Sequence, residues 1–276
     1  MRMNRKIFFV FTGLFTVLFL VSVQATSAGI VVEQVYGKKG QKQVSYFQAN
    51  KVKTVSTDGE YTIMDLDKGT MIMVNPDKKE YSVMSLKEMV SSMQQGMQQI
   101  QDRLRSLPPE QRAMLEKMMG IQSGSHSRLA LKDTGKTEKI AGYTAKKYVI
   151  LKDGHPISEY WVSKELRQDI LKEMDKSKID DFEKAMNKIS MESMPFAGSE
   201  ARQIGKLELK IQKYGEIVKE IHHPQTNGQV VREAFTVVSV KKKHLPSSTF
   251  QIPAGYKQAE SPVEKLKSMP SPPVFK

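Results

Sequence analysis

Six methionines carry the most distinctive chemistry in this 276-residue chain. Met89, Met93 and Met97 recur every four residues, and Met114, Met118 and Met119 follow beyond Pro108 and Pro109. Flexible, polarisable thioethers suit an adaptable apolar site, and in an oxidising compartment soft sulfurs also hold Cu(I). Ordinary packing explains them as well. At 100° per residue Leu86, Met89, Val90, Met93, Met97, Ile100 and Leu104 fall on one stripe about 100° wide. No histidine lies on these stretches, which disfavours copper. If a ligand cavity exists, its expected lining is Met89, Met93, Met97, Met114 and Met118.

Other reactive groups offer less. His222 and His223 point to opposite faces of a strand, so they cannot serve one ion together, whereas Glu220 and His222 share a face. His126, His155 and His244 stand apart in sequence. There is no Cys nucleophile, no Gly-x-Ser-x-Gly elbow, no His-Glu-x-x-His helix and no phosphate-cradling glycine loop. The carboxylate pairs Asp180-Asp181 and Asp65/Asp67 fall in helix-start and turn contexts that favour Asp without any reaction. The expectation is a protein that is not an enzyme, with no catalytic residue, metal or cofactor.

The elements that must position these groups are mostly strands. From Gly29 to Met84, apolar and polar residues alternate between turn signals at Lys39-Gly40, Asp58-Gly59, Asp67-Lys68-Gly69 and Asn75-Pro76-Asp77, which predicts an antiparallel meander with Asp58-Gly59 as a two-residue hairpin. Ser85 with Glu88 has the capping-box pattern for a helix that Leu107-Pro108-Pro109 stops. A shorter helix over 110–119 follows. Strands are expected again over 129–132, 138–140, 145–151 and 157–162, with Asp153-Gly154 as a hairpin and Trp161 in the core. Two helical stripes follow, Leu166, Ile170, Leu171, Met174 and then Ile179, Phe182, Met186, Ile189. Runs over 207–211, 216–222, 230–240 and 250–252 are expected to complete the sheet, with a tight turn at Asn227-Gly228. The order lacks βαβ alternation. It predicts an α+β fold: one strongly curved antiparallel sheet, an open, incomplete β-barrel, with Met-rich amphipathic helices covering its apolar face.

Arg2, Arg5 and Lys6, then an apolar run to Val23, then small residues at Ala25 and Ala28, form the pattern of a cleaved signal peptide. The expected organisation is a signal over 1–28, one domain over 29–258 with helical inserts near 85–120 and 164–192, and a Pro-rich mobile tail over 259–276. The chain has no cysteine, so acylation after the signal has no acceptor thiol, and a domain this large needs no disulfide. The formal net charge is +13, of which the three N-terminal basic residues contribute three, leaving +10. In the periplasm such a surface meets anionic lipid or cell-wall polymer rather than nucleic acid. Lys241-Lys242-Lys243-His244 is a candidate for that contact, or a lysine-rich strand end that discourages edge pairing.

Three runs together resemble a bacterial secreted family known only as a domain of unknown function, numbered 4412. They are Met73-Val-Asn-Pro-Asp-Lys-Lys-Glu-Tyr-Ser-Val-Met-Ser-Leu-Lys-Glu-Met89, Lys139-Ile-Ala-Gly-Tyr-Thr-Ala-Lys-Lys-Tyr148 with Tyr160-Trp161, and Phe250-Gln-Ile-Pro-Ala-Gly-Tyr256. Relatives often carry Cys where this chain has Ala145. The family is similar to periplasmic lipoprotein carriers, which implies an unclosed barrel with helices as a lid over a hydrophobic cavity. The leading expectation is a periplasmic, non-enzymatic binding or carrier protein whose partner is a lipid, a lipoprotein or another apolar, acyl-chain-bearing ligand. The alternatives are an envelope interaction protein with the helices as plain core, and a Met-based copper-handling protein. Oligomeric state is not encoded in any motif.

Overall fold

The computed structural model describes residues 28–37, 40–118, 127–193, 199–223, 232–261 and 264. Six strands open it: β1 (Ile30–Tyr36), β2 (Gln41–Gln48), β3 (Lys51–Val55), β4 (Tyr61–Asp65), β5 (Thr70–Asn75) and β6 (Glu80–Ser85). Helices α1 (Leu86–Ser106) and α2 (Pro109–Met118) follow, then strands β7 (Leu129–Ile140), β8 (Tyr143–Lys152) and β9 (His155–Ser163). Helices α3 (Lys164–Lys172), α4 (Lys176–Ser193) and α5 (Ser199–Gln212) precede β10 (Glu216–His222), β11 (Arg232–Lys242) and the short β12 (Lys257–Gln258). One sheet contains all twelve strands in the order β12-β6-β5-β4-β3-β2-β1-β11-β10-β9-β8-β7. It does not close, because β12 and β7 each have a single neighbour.

Local chemistry accounts for most of these boundaries. The Ser85 hydroxyl accepts from the Glu88 N–H while the Glu88 carboxylate accepts from the Ser85 N–H, so the capping box starts α1 where the sequence predicts. Three tight turns carry positive φ at both central residues: Ala49-Asn50, Ala141-Gly142 and Asp153-Gly154. Only the last has a sequence that announces it. Asp58-Gly59 instead sits in a longer connection between β3 and β4, where only Gly59 has positive φ and its N–H donates to the Ser56 carbonyl.

Two expected strands are corrected. The run over 207–211 is the end of helix α5, because Ile204, Leu207 and Ile211 recur at helical spacing and pack as one stripe. The run over 250–252 begins on the last residue of a 3₁₀ turn, Ser247–Phe250, and makes no ladder of its own. The stretches over 129–132 and 138–140 are one strand, β7, with a register irregularity between Asp133 and Thr137. The Asn227-Gly228 turn lies outside the described residues.

Helices pack against both faces of the sheet at the β7–β9 end, not against a single apolar face. Across β8 and β9, Lys147 lies opposite Trp161 and Tyr148 opposite Tyr160. Successive strand residues face opposite ways, so Trp161 and Tyr160 belong to different faces. Trp161 and Ala145 share a core with Leu166 and Ile170 of α3. Tyr148, Ile150 and Tyr160 share another with Ile211 of α5. Leu166 and Ile211 are both fully buried, each worth about 1.5–3 kcal/mol of apolar transfer. Trp161 also carries the ammonium groups of Lys147 and Lys219 over its ring, at 4.7 and 4.8 Å. At the opposite end of the sheet, α1 packs against α4 and β6.

The segment after β11 straps the other half of the sheet. The Lys243 N–H donates to the Gly29 carbonyl at 2.9 Å, and Leu245 is buried against Gly29 so closely that a Cβ there would stand 2.6 Å from it. The 3₁₀ turn then packs on β3, and β12 pairs in parallel with β6. The Ala259 N–H donates to the Tyr81 carbonyl at 2.8 Å, so the chain remains attached to β6 at the point where a mobile tail is expected to begin. The strap thus covers one sheet edge. The other edge, β7, carries an irregular register together with Lys132, Lys136 and Lys139, which oppose strand addition.

Asp169 ties α3 to the sheet. Its carboxylate accepts from Lys172 at 2.8 Å, from Lys242 of β11 at 2.6 Å and from the Tyr143 hydroxyl at 3.0 Å. The Lys172 and Lys242 hydrogen bonds hold its carboxyl down to about 2, and burial with Asp169 beside it pushes the Tyr143 phenol up to about 12. A depressed carboxyl stabilises the fold above its ordinary 3.8 and stops doing so as pH falls to about 2. Asp169→Asn is therefore expected to lose about 1.5–3 kcal/mol at pH 7, and urea denaturation across pH should show that loss shrinking below 3.8. Gly215 meets a harder limit. Its φ is +155° and a Cβ would lie 2.6 Å from the Ser163 carbonyl oxygen. Gly215→Ala should cost more than about 3 kcal/mol in the same measurement.

Candidate functional site

The backbone approach of Gly215 to Ser163 also creates the larger of two described cavities. Ser163 ends β9 and caps α3 by accepting from the Leu166 N–H at 3.2 Å. Glu216, which begins β10, pairs with Ser163 in the ladder. Around this junction the ends of α3, α4 and α5 leave a cleft of about 780 Å³. Leu171 comes from α3, Phe182 and Met186 from α4, and Leu209 from α5. On the sheet side Tyr36 and Phe235 present rings 5.5 Å apart. The volume lies within the range of small-molecule sites, and the lining is mixed: these apolar side chains share it with Gln34, Gln168, Asn187, Gln212 and a set of charged groups.

A charged cluster is set into that wall. The Arg167 guanidinium pairs with Glu183 of α4 and, at 3.6 Å, with Glu216. Burial in the surrounding protein pushes the Glu216 carboxyl up, against the attraction of Arg167. Its side chain nevertheless keeps 36% of its surface open, and it lines the cleft. Lys164 and Lys213 are the remaining charged residues of the lining and both are exposed.

The described residues singled out in the sequence as site candidates lie outside this cleft. Met89 is half-buried and Met114 is 67% exposed, and neither lines a described cavity. The side chains of Met93, Met97 and Met118 lie outside the described residues. His222 Nε2 is 3.3 Å from Glu220, as their shared face predicts, and its Nδ1 is 3.2 Å from the Ser158 hydroxyl. His223 turns the other way to Glu159 at 3.1 Å. Among the described residues no group of three or more His, Cys, Asp or Glu is arranged to hold a metal ion. Asp65 accepts from the backbone of Asp67 and Lys68, Asp67 pairs with Lys178, and Asp180 pairs with Lys176. These carboxylates stabilise turns and helix starts. Lys241 and Lys242 are likewise paired, with Glu33 and Asp169.

The second cavity, about 410 Å³, lies over β3 to β6. Thr54, Thr62, Met73 and Ser82 stand directly across from one another in successive strands, so their side chains form one cross-strand row. The Ser45 and Thr54 hydroxyls, 3.2 Å apart, extend it. Glu60, Asn75 and Glu80 make its rim polar, and the Asn75 amide is already bonded to Glu60. This cleft has about half the volume of the first.

Sequence patterning reveals Leu171, Phe182 and Met186 as helix-stripe residues, yet nothing local marks them as cavity walls. Arg167, Glu183 and Glu216 come from three elements and have no shared motif. A glutamate raised above its ordinary 4.5 costs the fold stability as pH rises through that value, because only the folded state resists ionisation. Glu216→Gln should therefore melt at a higher temperature than the native protein at pH 7, with the difference closing below pH 4.5. A lower melting temperature at pH 7 would mean that the Arg167 pair outweighs burial.

Among the described residues no helix is long and apolar enough to cross a membrane. No curated protein matches the chain. A family model described as Domain of unknown function (DUF4412) matches residues 116–256, just over half of the chain. Of the three runs that carry the resemblance, the second and third fall inside this span and the first precedes it. The matched residues include β7 to β11, the three helices around the larger cleft and most of the strap, and on that basis the chain belongs to the DUF4412 family.

Proposed function

We propose that this protein is a non-enzymatic binding or carrier protein of the periplasm, and that the cleft beside Gly215 takes a ligand bearing an apolar chain. One observation supports this reading above the others: a space of about 780 Å³ whose walls include Leu171, Phe182, Met186, Leu209, Tyr36 and Phe235 beside polar and charged side chains. The apolar side chains that face this open cleft gain transfer free energy when an apolar chain covers them. In this reading the sheet is an incomplete barrel, its helices form the cover, and a methionine at the ligand surface adapts to chains of different shape. Export rests on the N-terminal sequence pattern, and the basic surface would serve contact with anionic envelope components.

The reading moves the expected ligand contacts from Met89 and Met114 to the α3–α4 wall. Purified protein lacking residues 1–28 should bind a fluorescent long-chain fatty acid saturably. Leu171→Trp and Met186→Trp, which fill the cleft, should weaken that binding tenfold or more with little change in melting temperature. Absence of saturable binding, or binding untouched by both substitutions, would sink the proposal.

A further inference from the structure

We infer that the ligand of this cleft has an anionic head, a carboxylate at the end of a single alkyl chain, held at the mouth by Lys164 and Lys213. The inference rests on the binding reading above and adds the sign and position of the head group. Its basis is charge complementarity. Arg167 is the cation set into the wall, and its guanidinium is already engaged by Glu183 and Glu216. Two carboxylates on one guanidinium leave no net positive charge there, so an incoming anion gains nothing from that group. Lys164 and Lys213 differ. Both line the cleft, both are exposed, and neither has an ion-pair partner among the described residues.

Their positions suit a head group at the surface. Lys164 is the first residue of α3, directly after the buried Ser163, and Lys213 follows the last residue of α5, two residues before Gly215. The Ser163–Gly215 approach therefore brings two chain segments together and sets one lysine on each. A fatty-acid carboxylate can remain hydrated between two flexible ammonium groups while its chain lies against Leu171, Phe182 and Met186. A cationic head would face the same two lysines and be repelled. A neutral head would gain only the burial of the chain.

Calorimetric titration with decanoate, decanol and decylamine, on the chain without residues 1–28, tests the head group at constant chain length. Decanoate should bind about fivefold or more tighter than decanol, the scale expected for two exposed charge pairs, and decylamine should bind weakest. Raising the salt concentration should erase the preference for decanoate, as should the double substitution Lys164→Gln/Lys213→Gln, which touches no apolar wall. Equal affinity for decanoate and decanol, tighter binding of decylamine, or a decanoate preference that survives the double substitution overturns the head-group assignment and leaves the apolar-cleft reading standing. Failure of all three ligands to bind overturns that reading too. Co-sedimentation with phosphatidylglycerol vesicles separates the two sources of anionic lipid. If the lysine-dependent preference is seen for vesicles and not for decanoate, the pair reads a membrane surface and the assignment fails.

Discussion

Gly215 and Ser163 meet more closely than any side chain would allow, and the arrangement of the second half of the molecule depends on that contact. At Ser163 the chain leaves β9 to form α3 on the face that bears Trp161. At Gly215 it returns from α5, which packs on the face that bears Tyr160. The two passages lie side by side because Glu216 pairs with Ser163 at the start of the β10 ladder. With a Cβ at residue 215 the backbone would have to separate, and β10 could not register against β9. The cleft is a by-product of the same geometry, since helices that diverge to opposite faces leave space where they part.

Two charged side chains on α3 illustrate how context determines what a charge does. Asp169 accepts from three donors and stays 13% exposed, so its ionised form is favoured and its role is mechanical: it holds α3 to Tyr143 and Lys242. Arg167 lines the cleft and is shared by two carboxylates, one of them pushed up by burial. One helix therefore supplies both an anchor and a wall. Asn50 plays a comparable anchoring role at the far end of the helical layer. Its N–H donates to the Glu173 carbonyl at 3.2 Å, its side-chain oxygen accepts from the Asp175 N–H and its amide donates to Asp67 at 3.0 Å. A single turn residue in the left-handed region thus joins β2–β3, β4–β5 and the α3–α4 corner.

How much of this was legible in the chain differs by element. Ser85 and Glu88 announce α1 because capping is a contact between residues three apart. Asp153-Gly154 announces its hairpin because both residues tolerate positive φ. Ala49-Asn50 and Ala141-Gly142 adopt the same turn without the usual sequence, under the pull of the ladders on either side. The run over 207–211 reads as a strand because a short apolar run has no period of its own, and only the facing surface of Tyr148 and Tyr160 shows it to be one stripe of a helix. The methionines were legible as an amphipathic stripe and ambiguous as a site, since packing and ligand binding demand the same side chains.

From the sequence alone follow the α+β class, the antiparallel character of the sheet, the start of α1 and the burial of Trp161. Each of these rests on local periodicity, on capping or turn chemistry within a few residues, or on the size of one apolar side chain. The tertiary structure decided which helix lies on which face, that β12 and the strap cover one edge, and that a large cleft opens beside Gly215. Those outcomes depend on contacts between residues far apart in the chain, such as Ser163 with Gly215, Arg167 with Glu216 and Asp169 with Lys242. No period or motif records such pairs, because their energy exists only once the sheet has brought them together.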